Sequence, residues 1–221
     1  MGVRHDGDDQ TTTTTTICRT RPPPLPLTTP TTPTRRELQI EGVRSKRWNA
    51  LHYAVALDQR QCVSALLKAD CSLTIKDNGG MTPVHLACYK GNAACLSLLL
   101  LTQGHHRPNV EAVDANGATA LGVAAAKGHI LCARMLIEVG AKLEGGVGQT
   151  PLTQAAAYGK PACVELLISS GASLRAKGED GRTALSWAVA MDDGKRPGHR
   201  HDTRVLIEDA LKVWYQVWHT T

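Results

Sequence analysis

Phenylalanine is absent from the 221 residues, and aromatic side chains make up only 4% of them. A core without large rings must be assembled from Leu, Val, Ile and Ala, which suits closely stacked helices better than an aromatic-rich β-sandwich. Long apolar runs are missing too. The longest, Cys95 to Leu101, is far shorter than the roughly 20 residues a membrane-spanning helix needs. Met1 to Thr34 holds no apolar run resembling a signal peptide. The seven cysteines are an odd number and contain no CxxC pair, which fits a reducing compartment. A soluble protein of the cytoplasm or nucleus is expected. There is no G-x-S-x-G, no P-loop, no H-E-x-x-H and no G-x-G-x-x-G following a strand. No enzymatic activity, no cofactor and no metal site is expected. The net charge of +5 reads first as a solubility feature and second as a nucleic-acid or membrane footprint.

The chain does contain two kinds of text. Residues 1–46 are rich in Thr and Pro, with six threonines at Thr11 to Thr16 and the run Arg21-Pro22-Pro23-Pro24-Leu25-Pro26. Such a segment has few side chains to bury, and its prolines lack a backbone donor, so a disordered tail is expected. Pro23-Pro24-Leu25-Pro26 and Pro30-Thr31-Thr32-Pro33-Thr34-Arg35 fit ligands of proline-reading domains, so Pro23 to Arg35 is a candidate docking segment. Thr29-Pro30 and Thr32-Pro33 also fit proline-directed phosphorylation sites.

From Trp48 onward the text repeats. Asn49-Ala50-Leu51-His52, Thr82-Pro83-Val84-His85, Thr119-Ala120-Leu121-Gly122, Thr150-Pro151-Leu152-Thr153 and Thr183-Ala184-Leu185-Ser186 align at steps of 33, 37, 31 and 33 residues. Nine residues after each start stand Asp58, Gly91, Gly128, Gly159 and Asp192. Four further on, the first four units carry Cys62, Cys95, Cys132 and Cys163, each followed by an apolar run. Gly104, Gly140 and Gly171 close three units, and Asp70 holds that place in the first. Physically, each unit reads as two short helices and a turn. Thr caps the first helix and Pro suits its first position. Glycines in the left-handed conformation end both helices. A polar, glycine-bearing stretch then makes a hairpin. One unit cannot bury its apolar face alone, but a stack can.

The period near 33, the T-P-x-H start, the central glycine, the L-L run and the closing Gly140-Ala141 and Gly171-Ala172 resemble the ankyrin-repeat family. That resemblance implies an all-α ankyrin-repeat solenoid over residues 47–221. Its five repeats start near 47, 80, 117, 148 and 181, and a C-terminal capping helix lies near 203–218. Extra residues around His105-His106-Arg107-Pro108 should bulge from the stack, and the fourth hairpin, at Glu144-Gly145-Gly146, should be two residues short. Trp214 and Trp218 are four apart and share a helix face.

The recurring cysteines are expected to be buried hydrophobes. Stacked helices lie about 8–10 Å apart, too far for a disulfide or a shared zinc ion between equivalent positions. His105-His106 and His199 to Asp202 are too few ligands to argue for a metal. For His52 and His85 the resemblance implies structural hydrogen bonds to the neighbouring turn. It also implies a non-catalytic, partner-binding surface on the concave face: Trp48, Leu57, Met81, Tyr89, Lys90, Lys127, Gln149, Tyr158, Arg182 and Met191. The partner expected there is another protein, with Trp48, Tyr89, Tyr158 and Arg182 as anchors. The alternative expectation is a regulatory or targeting module of a larger enzyme or channel. Nucleic-acid binding through Lys195 to Arg200 and the tail arginines is a third reading.

Overall fold

The computed structural model describes residues 47–102, 108–191 and 199–220, without the side chains of 191, 199–201, 214 and 217–220. The expected tail, Gly104, His105-His106 and Lys195, the side chains of His199 to His201, and those of Trp214 and Trp218 lie outside that set.

Among the described residues ten helices follow in chain order: α1 Ala50–Ala56, α2 Arg60–Lys68, α3 Pro83–Lys90, α4 Ala93–Leu100, α5 Ala120–Lys127, α6 Ile130–Glu138, α7 Pro151–Ala157, α8 Pro161–Ser169, α9 Ala184–Met191 and α10 His199–Thr220. The odd-numbered helices pack in one row and the even-numbered helices in a second. Between the rows runs a continuous core, with Leu51, Leu96, Leu99, Leu121, Leu136, Leu152 and Leu167 among its buried members. The architecture is the all-α helical-repeat solenoid expected from the repeats. The described backbone adds only isolated β-bridges, Val113 to Thr119 and Lys177 to Thr183, at the feet of two hairpins.

Local chemistry sets the boundaries of the first helix in most units. Thr82, Thr119 and Thr150 accept hydrogen bonds from the backbone N–H three residues on and start α3, α5 and α7. Asn49 does the same for α1. Gly91, Gly128 and Gly159 take φ of 76°, 80° and 61° after the first helices. Asp58 and Asp70 sit where other units have glycine, and they too adopt positive φ, 51° and 63°. A carboxylate side chain tolerates that region better than a branched one does. The C-terminal helix α10 is 22 residues long. It lies against α8 and α9, burying Thr203 and Ile207.

Two histidines tie neighbouring units together. His85 Nδ1 accepts from Thr82, whose Oγ1 is 2.9 Å away, and its Nε2 lies 3.2 Å from the Ala118 carbonyl of the next unit. His52 Nε2 reaches the Met81 carbonyl at 3.1 Å. Burial lowers both imidazoles below the ordinary 6.5, against the opposing pull of those carbonyls and of Asp77 or Asp114. In the unfolded chain they titrate normally. As pH falls below about 6.5, the unfolded chain therefore takes up protons that the folded chain resists. The histidine contribution is complete above that pH and is lost as pH falls toward the depressed folded values. Thermal melts should show Tm dropping between about pH 7 and 5. His85→Thr, which copies Thr153 at the equivalent place, should flatten that drop while costing about 1–3 kcal/mol at neutral pH. Parallel profiles for the two proteins would refute the assignment.

The cysteines are core members. Cys95, Cys132 and Cys163 are fully buried, and Cys62 is half-buried. Burial pushes the Cys163 thiol up to about 11, and burial with the Asp58 carboxylate 3.2 Å away pushes Cys95 up to about 12. Such thiols are poor nucleophiles near neutral pH.

Candidate protein-interaction site

The hairpins form a second line beside the row of odd-numbered helices. Asp77 Oδ1 accepts from the N–H of Gly79 and of Met81, both at 2.8 Å. Asp114 Oδ1 repeats this toward Asn116 and Ala118, at 2.8 and 2.9 Å. Asp180 Oδ1 takes the Arg182 N–H at 3.1 Å. Each turn is also bonded to the next through backbone, Ala115 N–H to Gly79 O and Val147 N–H to Gly117 O at 2.8 Å. The N–H of Glu179 continues the ladder to Gly148 O.

Between hairpins and helices lies a groove of about 770 Å³. Tyr89 and Tyr158 stand along it, 42% and 60% exposed. Its floor comes from Ala118, Val123, Ala126 and Gln154, and its hairpin rim from Asp114, Asn116, Glu179 and Asp180. The Lys127 ammonium lies over the Tyr89 ring at 4.3 Å from its centre, and Lys90 approaches the same ring at 6.0 Å.

Of the residues expected at a partner surface, Met81, Tyr89, Lys127, Gln149 and Tyr158 line this one groove. The others are placed differently. Lys90 is exposed beside Tyr89. Leu57 is exposed at the end of α1. Trp48 is half-buried over the first unit, its indole N–H bonded to Asp77 Oδ2 at 3.0 Å and its ring against His52 and Tyr53. The Arg182 guanidinium lies over the Trp187 ring at 4.9 Å. The Met191 side chain is outside the described set. Sequence reasoning missed the floor residue Gln154 and the acidic rim. Gln154 could have been found by comparing the residue three past the start of each odd-numbered helix: Tyr53, Leu86, Val123, Gln154 and Trp187. One amide breaks an otherwise apolar or aromatic row.

Among the described residues no three His, Cys, Asp or Glu side chains converge as a metal site would require. No described helix is long and apolar enough to cross a membrane.

Similarity to known proteins covers part of the chain. It is 36% identical over 93 residues to NF-kappa-B inhibitor alpha of Sus scrofa, spanning 41% of this chain and 30% of that protein. Over 92 residues it is 30% identical to ankyrin repeat and SOCS box protein 2 of Bos taurus, spanning 40% of this chain and 14% of that one. Over 107 residues it is 29% identical to the human SMC5-SMC6 complex localization factor protein 1, covering 48% of this chain and 10% of that protein. The chain thus spans less than a third of the length of these relatives. The family model for ankyrin repeats in three copies matches residues 51–145 and 138–214, and with five helix pairs in register the chain belongs to the ankyrin-repeat family.

Proposed function

We propose that this chain is a non-catalytic adaptor or inhibitor that holds a partner protein in the concave groove of a repeat domain spanning residues 47–221. Ankyrin repeats are protein–protein interaction modules. The observation that carries the finer reading is the groove itself, where two exposed tyrosines flank a floor of Ala118, Val123, Ala126 and Gln154. Large amphipathic rings on rigid helices lose little entropy on binding and are enriched among residues that dominate interface energy. A relative named as an inhibitor of NF-kappa-B supports a regulatory binding role of this kind. Cytoplasm or nucleus is the compartment proposed, in keeping with the buried free thiols. Trp48, Leu57, Lys90, Arg182 and Met191 are proposed as flanking contacts, and the tail at Pro23 to Arg35 as a separate docking segment for a proline-reading domain.

The test is a pull-down with Tyr89→Ala/Tyr158→Ala beside the wild type, followed by affinity measurement on the retained partner. Anchors of this kind are worth about 2 kcal/mol each, so binding should weaken at least about 30-fold while the melting curve is unchanged. Equal retention by a folded double variant would move the site off the groove. A second reading is favoured by the relatives' length: the chain covers 30%, 14% and 10% of the three described above. On that reading the repeats target or regulate a larger enzyme or channel. Immunoblotting the endogenous polypeptide decides, since a band well above 23.7 kDa is required.

A further inference from the structure

We propose that the fourth unit of this stack builds a socket for a basic side chain of the partner, an arginine above all; the inference rests on the groove reading given above.

The first support is geometric. The step from Thr119 to Thr150 is 31 residues, where its neighbours are 37 and 33. The shortened hairpin turns through Gly146 and Gly148, at φ of 116° and 109°, and places Gly148 in the groove wall. On one side of that bare backbone stand Asp114 and Asn116 of the third hairpin. On the other stand Glu179 and Asp180 of the fifth. The fourth hairpin, bare of a side chain at Gly148, is therefore flanked by carboxylates from both neighbouring hairpins.

The second support is charge. The chain as a whole is +5, yet the groove lining holds Asp114, Glu179 and Asp180 against Lys127 alone. The local sign is opposite to that of the protein. Asp114 and Asp180 are also fixed, because their Oδ1 atoms accept backbone N–H groups of their own turns. A carboxylate held by its own turn is oriented before any guest arrives. Lys127 over the Tyr89 ring shows that this tyrosine face accepts a cation, and the Tyr158 ring offers a second face of the same kind.

The third support is independent of both. Gln154 lines the groove, is 9% exposed, and its Oε1 is buried with no hydrogen-bond partner. Its amide is seated against Gly122, where an added Cβ would come within 2.6 Å of Oε1. The last side-chain torsion of glutamine is soft, so the amide can turn its oxygen toward an incoming donor. A guanidinium carries five N–H donors in a plane. It can meet the amide and a carboxylate together while stacking on a tyrosine, which a single ammonium cannot do as well.

The probe is a random peptide library displayed on phage and selected on the full chain. Selected peptides are then synthesised with arginine or with its uncharged isostere citrulline. Arginine should be enriched, and citrulline should weaken binding by about tenfold or more, as expected for loss of a charge-assisted pair. Gln154→Leu should weaken both peptides, since the urea N–H groups of citrulline also reach its oxygen. Separately, Glu179→Gln/Asp180→Asn should weaken the arginine peptide and leave the citrulline peptide unchanged. The second variant alters exposed rim residues, so it remains informative even where Gln154→Leu perturbs the fold. Peptides that are lost on Tyr89→Ala/Tyr158→Ala but bind equally with citrulline would overturn the socket and leave the groove reading intact. Peptides insensitive to the tyrosine replacements would overturn both.

Discussion

Gly117→Ala should destabilise the repeat domain by about 3 kcal/mol or more, a large share of the stability of an ordinary domain. Gly117 lies in the third hairpin with φ of 74°. A Cβ there would sit 1.8 Å from the Val147 carbonyl oxygen and 2.7 Å from its carbonyl carbon. Both atoms are backbone of the next hairpin, so no side-chain rotation relieves the clash. The hairpins must separate, and the Val147 N–H to Gly117 O bond of 2.8 Å goes with them. Gly181 is the control. Its φ is 71°, but nothing lies within 4 Å of the Cβ position. Gly181→Ala should cost only the conformational penalty of about 1–2 kcal/mol. Chemical denaturation of the two variants against wild type separates the effects. Equal losses would mean that backbone conformation alone, and not hairpin packing, decides these positions. Because the same hairpin carries Asp114 and Asn116, Gly117→Ala should also distort the groove rim, and partner affinity should fall more than for Gly181→Ala.

That contrast shows what a single sequence can and cannot reveal here. The repeat register was legible because it is written in local chemistry. Thr82, Thr119 and Thr150 cap whatever follows them, and Gly91, Gly128 and Gly159 supply a backbone conformation most residues resist. The burial of Cys95, Cys132 and Cys163 followed from their place in the apolar pattern. Gly117 and Gly181 look alike in sequence, each following a turn aspartate or asparagine. Only the approach of the next hairpin tells them apart. The candidate groove divides the same way. Tyr89 and Tyr158 could be placed from their position in the repeat, but the Lys127 ammonium over Tyr89 is a cross-unit distance. The three rim carboxylates come from two hairpins, and the chain between them is long. The packing of Arg182 on Trp187 likewise depends on a rotamer that periodicity leaves open.

Leu121→Ala should have an effect of similar size by a different route. Leu121 is in α5, at the third of five units, and is 1% exposed. Removing a buried leucine to the β-carbon costs about 2–5 kcal/mol, from lost transfer energy and the cavity left behind. In a stack each unit is stabilised mainly by its neighbours. A weakened third unit therefore loses coupling to both sides, since α5 packs against α3 and α7. The remaining units on either side are too few to stand firmly alone. Ile207 in α10 is equally buried, but α10 packs on α8 and α9 and is the last helix among the described residues. Ile207→Ala should loosen that end and leave the first four units largely folded. Native-state hydrogen exchange gives the distinguishing pattern. Leu121→Ala should lower protection of the slowest amides in α3, α5 and α7 together. Ile207→Ala should lower it in α9 and α10 first and leave α3 near wild type. Uniform loss in both variants would mean the stack unfolds as one cooperative body. Tyr89 and Tyr158 stand on opposite sides of the third unit, in the second and the fourth. The groove needs both, so Leu121→Ala should abolish partner binding at temperatures where Ile207→Ala retains it.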